Sequence, residues 1–322
     1  MAQKILIVGL SGSMGTLTAE RMLNSDGEYS TTGFGIGADS DNGKIIIIKS
    51  GELLQDYLTF SFPKLTEWEL GIIKEEQPII IDFTHKDVIK SNWEKYYKKW
   101  GCPLIVGTIG VKKEDFVGNT APVIIGSPNL CPQIVEVLRT FSALEAKSLE
   151  GISFEIIESH QDSKTEVSGT AVRMKELFEK AGAVEKSPIL LVRDKEKQSK
   201  MGIPKEYLNG HGWHTYRFFG ERDTISAHNT LQLMNVCSAL WDKITNKAPV
   251  EEVGFSKLVG HWNNQTKTLY ITYGQSPSME VVLVHNVNGR QPYIDGLFET
   301  VLPTMRHLIN VGENSVLDMF DL

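Results

Sequence analysis

The chain has 322 residues, and 33 lysines and arginines against 40 aspartates and glutamates give a net charge of −7. This acidic balance argues against a protein that binds nucleic acid or an anionic membrane surface. Hydrophobic residues make up 41% and charged residues 23%, which excludes the disordered and fibrous classes. The apolar runs are only strand-sized, so no membrane span is predicted.

The ends of the chain and its cysteines bear on its compartment. A predicted strand begins almost at the first residue, which leaves no room for a signal or transit peptide. We therefore expect a cytoplasmic protein, any plastid leader being absent from this chain. Three widely spaced cysteines, Cys102, Cys131 and Cys237, fit neither a disulfide framework nor a metal site, so reduced thiols are expected.

The first half of the chain alternates short β-branched runs with amphipathic segments. The predicted elements are a strand at 5–8, a helix at 15–23, a strand at 79–82, a helix at 87–100 and a strand at 104–106. Such alternation predicts a parallel sheet with helical crossovers. The fold class is therefore α/β, with a first domain at 1–131.

The pattern changes near Pro132, where a second domain is predicted at 132–289. A helix with apolar positions from Ile134 to Leu144 precedes a strand at 152–157, a polar loop and a helix near 171–181. The stretch 217–277 is rich in polar and aromatic residues and shows no clear period. A strand at 279–285 and a helix from Leu297 to Leu308 follow, and the apolar tail 316–322 is expected to complete the first domain together with residues from about 290.

A glycine-rich turn joins the first strand to the first helix. Gly9, Gly12 and Gly15 follow the G-x-x-G-x-x-G spacing of a dinucleotide fingerprint: a tight turn, close approach of a pyrophosphate, and close packing of helix on strand. The pyrophosphate would bind to free N–H groups at the helix N-terminus. An ordinary tight turn is the alternative interpretation.

The second half of that fingerprint is an acidic residue about 20 positions further on, which binds the adenosine ribose. Residues 31–37, where the second strand should end, contain none. NADPH is therefore admissible, and Thr32 is a candidate hydroxyl for holding it. No phosphate-binding cation is evident either, so the choice between NADPH and NADH stays open.

A second polar segment, 158–171, lies between a predicted strand and helix. His160 is suited to proton transfer near neutral pH, and Lys164 to binding an anion or acting as an acid. Ser168, Gly169 and Thr170 open the next helix and could grip a carboxylate. The alternative is a capped helix behind a solvated loop.

Together these segments resemble the dihydrodipicolinate reductase family, also called 4-hydroxy-tetrahydrodipicolinate reductase, in its plant-type branch. The matching signatures cover most of the chain: 8–15, 82–84, 107–110, 158–164, 168–171, 192–194, 202–204, 210–214 and 285–290. The resemblance implies a Rossmann-type parallel sheet domain plus a mixed α/β substrate and oligomerisation domain. It also implies reduction of the cyclic product of dihydrodipicolinate synthase to tetrahydrodipicolinate in lysine biosynthesis, with NADPH or NADH as the hydride donor.

The resemblance also implies roles for individual residues. His160 matches the catalytic histidine, and Lys164 matches the lysine that supplies the proton accompanying hydride addition. Lys164, Ser168, Gly169 and Thr170 would bind the dicarboxylate substrate. The cofactor would lie along Gly9, Gly12, Ser13, Met14, Gly15, Phe83, Thr84, Gly107, Thr108, Pro128, Asn129 and Leu130. The chain is expected to form a homo-oligomer, a dimer or tetramer, without a nucleic-acid or membrane partner.

Two departures keep other hypotheses open. The family's Gly-Thr-Thr-Gly turn has Ile109 in place of the second threonine, and the insertion near 217–277 lengthens the second domain. One alternative is a related reductase whose small dicarboxylate substrate has drifted; the other is a non-catalytic nucleotide-binding assembly protein. His211 and His214 are spaced like metal ligands, but no acidic or cysteine partner adjoins them, and no metal is predicted.

Overall fold

The computed structural model describes residues 2–221, 233, 236, 258–263, 268–272 and 278–322. Most of the predicted insertion, and Cys237 with it, lies outside these residues. Cys102 and Cys131 are free, buried thiols. None of the described helices combines the length and apolar character that crossing a bilayer requires.

The described chain contains sixteen strands and nine helices. The helices are α1 (Ser13–Leu23), α2 (Glu67–Glu76), α3 (Lys86–Asn92), α4 (Lys98–Trp100), α5 (Pro132–Ser142), α6 (Gly169–Lys180), α7 (Lys195–Lys200), α8 (Gln291–Gly296) and α9 (Leu302–Val311). The strands are β1 (Gln3–Val8), β2 (Tyr29–Thr31), β3 (Phe34–Ile36), β4 (Ile45–Ser50), β5 (Leu53–Phe60), β6 (Ile79–Asp82), β7 (Leu104–Val106), β8 (Val123–Ile125), β9 (Ser153–His160), β10 (Val184–Glu185), β11 (Leu190–Val192), β12 (His211–Glu221), β13 (Leu258–Asn263), β14 (Thr268–Thr272), β15 (Ser278–Asn288) and β16 (Val316–Asp318).

The chain divides into two compact units, residues 1–132 with 291–322 and residues 133–290. The first unit contains a sheet in the order β16-β8-β7-β6-β1-β3-β5-β4, with β2 also paired to β1. All neighbours are parallel except β4 and β5, which form an antiparallel hairpin. The central strands β1, β6 and β7 are almost fully buried, as expected for a parallel sheet covered on both faces.

Two details of this unit depart from the predicted elements. The predicted helix 87–100 begins one residue earlier and contains a π-helical turn, Trp93–Tyr97, between α3 and α4. The predicted second strand is split into β2 and β3, which pair with opposite ends of β1. The C-terminal tail adds β16 beside β8. The prediction of a Rossmann-type parallel sheet is confirmed.

The second unit contains a mixed sheet in the order β10-β9-β12-β15-β13-β14, with β11 also paired to β9. The long strands β9, β12 and β15 are antiparallel neighbours. Phe178 of α6 packs edge-on against Phe154 of β9 and Phe218 of β12, which secures that helix to the sheet. The unit is therefore a mixed α/β structure, as predicted.

Candidate active site

The glycine-rich turn of the first unit lies at the carboxyl edge of its parallel sheet. The turn starts at Gly9, whose φ of +83° favours glycine. A Cβ on Gly15 would lie 2.3 Å from the Gly9 carbonyl oxygen and 2.7 Å from the Cα of Leu10. Only glycine permits α1 to begin this close to the end of β1.

The N-terminus of α1 presents unused hydrogen-bond donors. Gly12 is the N-cap and offers no side-chain acceptor, and the first turn has no acidic residue. Within the described part of the chain, the N–H groups of Ser13, Met14 and Gly15 have no protein acceptor. Free donors at the positive end of a helix dipole suit an anion such as a pyrophosphate.

A buried carboxylate organises the two neighbouring edge loops, which follow β6 and β7. Asp82 accepts hydrogen bonds from the Thr84 N–H at 2.7 Å and from the Thr84 hydroxyl at 2.6 Å, and the Tyr97 hydroxyl donates to its other oxygen at 2.6 Å. Burial raises the pKa of Asp82, while these bonds partly oppose the effect. The Thr108 hydroxyl donates to the Thr84 carbonyl at 2.6 Å, which links the two loops.

Close backbone packing shapes the rest of this edge. A Cβ on Gly107 would lie 2.3 Å from the ring of Phe83, so this glycine makes room for that ring. The next loop, after β8, contains Pro128, Asn129 and Leu130, and the Asn129 side chain accepts from the Cys131 N–H at 2.8 Å. All twelve residues predicted to bind the cofactor thus lie in loops or helix starts at one edge of one sheet.

One acidic residue at this edge was missed by sequence reasoning. Because the second strand continues through β3, its end falls at Ile36 and the following turn holds Asp41. The Ser11 hydroxyl of the glycine-rich turn donates to Asp41 Oδ2 at 2.7 Å, and Lys44 Nζ lies 3.1 Å from Oδ1. These contacts hold the pKa of Asp41 below its usual value. The carboxylate of Asp41 therefore lies beside the glycine-rich turn, although it is further along the chain than the acidic residue of the usual fingerprint.

The second unit contains the polar segment, and its strand is longer than predicted. β9 runs to His160 instead of ending at 157, so Glu158, Ser159 and His160 are strand residues. α6 begins at Gly169, with the Ser168 hydroxyl capping it by accepting from the Ala171 N–H at 3.1 Å. The connecting loop is consequently short and carries Lys164 near its middle.

Glu158 is a fully buried carboxylate at the base of this site. Arg193 Nη2 donates to its Oε1 at 2.6 Å, and the Ser168 N–H donates to its Oε2 at 2.9 Å. Burial by itself would raise the pKa of Glu158, but the bonds from Ser168 and Arg193 outweigh it and hold the pKa below its usual value. The residue is therefore an anion at neutral pH.

His160 presents one ring nitrogen without a partner. Its Nδ1 lies 3.0 Å from the His211 carbonyl and so carries the proton, while Nε2 has no hydrogen-bond partner among the described residues. Burial lowers the pKa of His160 to about 4, and the positive charges of Lys164 and Arg193 act in the same direction. The free protein therefore holds a neutral imidazole whose buried Nε2 is an unused hydrogen-bond acceptor among the described residues.

Lys164 and the start of α6 supply positive charge and donors. Lys164 is half-buried, and within the described ranges its Nζ has no hydrogen bond or ion pair. The N–H groups of Gly169 and Thr170 at the N-terminus of α6 also lack a protein acceptor in this part of the chain. An ammonium group and free helix N–H groups suit a carboxylate ligand.

Two further histidines, His211 and His214, form hydrogen bonds with residues that flank the site. His211 donates from Nδ1 to the Tyr207 carbonyl at 2.9 Å, and its Nε2 lies 2.8 Å from the Ser159 hydroxyl. His214 Nε2 lies 2.7 Å from the Ser168 hydroxyl and 3.9 Å from Glu158. Sequence reasoning favoured a structural or substrate-side role over metal binding for these two histidines, but it could not identify their partners.

One group in this unit has the composition of a metal site. Ligand atoms of Glu158, His160 and His214 lie within 4.8 Å of one another. Both oxygens of Glu158 already accept hydrogen bonds, one of them from the cation of Arg193. A metal ion bound there would have to compete with that guanidinium, so the arrangement is better suited to an organic ligand.

Comparison with known proteins gives a consistent family. The family model for the dihydrodipicolinate reductase N-terminus matches residues 3–118, and the model for its C-terminus matches residues 135–322. The chain is similar to the probable 4-hydroxy-tetrahydrodipicolinate reductase 2, chloroplastic, of Oryza sativa subsp. japonica, with 27% identity over 69% of each chain. It is also similar to the chloroplastic 4-hydroxy-tetrahydrodipicolinate reductase 1 of Arabidopsis thaliana, with 28% identity over 69% of this chain and 65% of the relative.

A solved structure has a similar fold. The dipicolinate-bound dihydrodipicolinate reductase from Paenisporosarcina sp. TG-14 covers 98% of both chains with a TM-score of 0.52 and 16% identity. That likeness concerns the fold alone. Since the two family models together match nearly the whole sequence, the chain belongs to the dihydrodipicolinate reductase family, as its sequence motifs predicted.

Proposed function

We propose that this chain reduces 4-hydroxy-tetrahydrodipicolinate to tetrahydrodipicolinate in the diaminopimelate route to lysine. Loss of water from the substrate gives dihydrodipicolinate, which accepts a hydride from NADPH or NADH and a proton from the protein. The products are tetrahydrodipicolinate, the oxidised nucleotide and water. The matched curated relatives are named for this reaction, and the alignment spans between 64% and 69% of their length.

The observation that carries the proposal is the donor set around the short loop of the second unit. The substrate is a dianion at neutral pH. Lys164 and the free N–H groups of Gly169 and Thr170 provide a cation and a helix N-terminus for its carboxylates. Since Arg193 is paired with Glu158, Lys164 carries the uncompensated positive charge at this site.

His160 and Lys164 divide the polar chemistry between them. The imidazole of His160 is neutral with a free Nε2, so it accepts a hydrogen bond from bound substrate. Lys164 donates the proton that accompanies hydride addition, because an ammonium group is a donor only. Glu158 stays ionised and holds the Ser168 end of the loop.

The glycine-rich edge of the first unit fits a nicotinamide nucleotide. The free N–H groups of Ser13, Met14 and Gly15 would hold the pyrophosphate, and the loops at Phe83–Thr84 and Gly107–Thr108 would line the ribose and nicotinamide. When bound, the reduced nicotinamide supplies the hydride.

The test follows loss of reduced-nicotinamide absorbance when substrate is formed in situ by dihydrodipicolinate synthase from pyruvate and aspartate semialdehyde. We expect oxidation of NADPH or NADH that His160→Gln and Lys164→Ala each slow by about 100-fold or more. Lys180→Ala, which removes an exposed lysine at the end of α6, is the matched control and should keep full activity. Nucleotide binding without any oxidation would instead favour a non-catalytic nucleotide-binding protein.

A drifted substrate is the second candidate, and Ile109 is the observation that favours it. Its side chain is half-exposed in the loop after β7, where the family's turn has a threonine. If Ile109→Thr improves kcat/KM for the expected substrate severalfold, the natural substrate differs from it. Unchanged kinetics would count against drift.

The assembly and the compartment are also proposals. We infer that the chain forms a dimer or tetramer and that it lies in the cytoplasm. Light scattering of the purified protein measures the number of subunits.

A further inference from the structure

The ion pair between Glu158 and Arg193 has connections beyond a simple salt bridge. Arg193 follows β11 directly and stands before Asp194, the N-cap of α7. β11 lies parallel to β9 with Leu191 opposite Glu158, so the backbones carrying the two charges are neighbours. The Glu158 side chain is fully buried, and 18% of the Arg193 side chain is exposed.

The pair holds the loop between β9 and α6 from both sides. Arg193 Nε donates to the Lys164 carbonyl at 2.6 Å, and Nη2 donates to the Glu166 carbonyl at 3.3 Å as well as to Glu158. The second oxygen of Glu158 accepts from the Ser168 N–H. One buried carboxylate and one guanidinium thus fix three backbone positions along the loop.

Few other contacts hold this loop within the described residues. Apart from the Ser168 hydroxyl at its end, which lies 2.7 Å from His214 Nε2, it has one internal hydrogen bond, from the Lys164 N–H to the Gln161 carbonyl at 3.0 Å, and one surface ion pair, between Lys195 and Asp162 at 3.4 Å. An exposed pair of that kind contributes little. Ordering a loop costs conformational entropy at every residue, so the defined shape of its middle, around Lys164 and Glu166, depends on the buried pair.

We propose that Glu158 and Arg193 are positioning residues that hold Lys164 and the N-terminus of α6 in the geometry that binds the dicarboxylate. This inference rests on the proposed function of the loop. The guanidinium is required because its planar fork reaches a carboxylate and two carbonyls together, whereas a lysine ammonium at this position is a point charge. The pair acts through the loop and needs no contact with the reacting atoms.

The experiment compares Arg193→Met, Arg193→Lys and Glu158→Gln with the unaltered protein. Calorimetry measures the affinity for dipicolinate, a stable planar dicarboxylate, and separately for NADH. Hydrogen exchange of peptides covering 161–168 reports the order of the loop. The matched control is Arg173→Met, which removes an exposed pair with Glu176 on α6 and leaves the loop contacts intact.

We expect Arg193→Met to weaken dipicolinate binding and to raise the substrate KM by at least about tenfold, with the NADH affinity unchanged. Exchange at 161–168 should accelerate, and Arg193→Lys should restore neither property. A double variant, Glu158→Gln with Arg193→Met, avoids leaving an unpaired buried charge and keeps the test usable if Arg193→Met does not fold. It should show the same loss of dipicolinate affinity.

Two outcomes separate this inference from the proposed function. If the unaltered protein binds dipicolinate and the folded variants bind it equally well, with unchanged exchange at 161–168, the positioning role is wrong. If the unaltered protein neither binds dipicolinate nor oxidises NADH or NADPH with substrate, the proposed function fails, and the inference that rests on it fails too.

Discussion

Gly212 allows the His160 ring to approach the backbone of β12 closely. The residue pairs with His160 across the β9–β12 ladder, and a Cβ built on it would lie 3.1 Å from Cε1 of the ring. That separation is tighter than an ordinary carbon–carbon contact of about 3.5 Å or more. Gly212→Ala therefore has to push the ring away by roughly 0.4 Å or more, since a β-strand backbone cannot easily retreat.

The displaced ring would lose the geometry of its bond to the His211 carbonyl, now 3.0 Å. A misplacement of about 1 Å costs about 100-fold in rate, so a displacement of roughly 0.4 Å should lower kcat by about 5-fold or more. Overpacking of this size destabilises by about 1–3 kcal/mol, which leaves the fold intact.

The assay is the coupled reduction described above, with thermal unfolding and NADH calorimetry measured in parallel. Gly210→Ala is the matched control, because a Cβ there would meet nothing within 4 Å. Full activity in Gly212→Ala would refute the reasoning that the imidazole must occupy this position. An equal loss in Gly210→Ala would show that the effect is not specific to the ring contact.

Three further perturbations test other parts of the structure. His285 is buried, and neither of its ring nitrogens has a hydrogen-bond partner among the residues that the structure describes; burial lowers its pKa to about 4. In the unfolded chain, His285 takes up a proton near pH 6.5. The contribution of the neutral buried imidazole to the free energy of unfolding is therefore complete above this pH. It is lost as the pH falls toward 4, by roughly 3 kcal/mol at most. Urea unfolding of His285→Phe should show a shallower pH dependence than the parent, and an identical profile would contradict this assignment. Gly15→Ala, whose Cβ would collide with the turn backbone, should weaken NADH binding by at least about tenfold in calorimetry. Gly71→Ala, which meets nothing within 4 Å, should not change that affinity. Asp41→Ser should improve NADPH affinity relative to NADH by about tenfold, because a carboxylate beside the ribose position repels a 2′-phosphate; an unchanged ratio would place the ribose elsewhere.

Periodicity predicted the central parallel strands closely but not the edge of the first sheet. β6 and β7 have the predicted bounds, because continuous β-branched runs flanked by polar residues admit few other structures. The second strand was harder, since Thr32 and Gly33 interrupt it and β3 resumes only at Phe34. Because of this split, the strand ends later than predicted, at Ile36. Asp41 was therefore not considered as the acidic residue of the dinucleotide fingerprint.

The active-site prediction depended on a motif, and motifs identify residues without their partners. His160, Lys164 and the start of α6 were found because they are close in sequence. Arg193 lies 35 positions after Glu158, and only the pairing of β11 with β9 brings the two together. The pKa of His160 could not be predicted either, because it depends on burial and on neighbouring charges that the fold assembles.

The position of β16 has a consequence for biosynthesis. This strand pairs with β8, so the sheet of the first unit is completed by residues 316–318, which leave the ribosome after the whole of the second unit. During translation, residues 133–290 form a continuous segment that can fold as it emerges, whereas β8 waits with an unpaired edge. A nascent chain stalled before β16 would therefore lack a complete first sheet. A bulky fusion at the C-terminus would be expected to slow the pairing of β16 with β8.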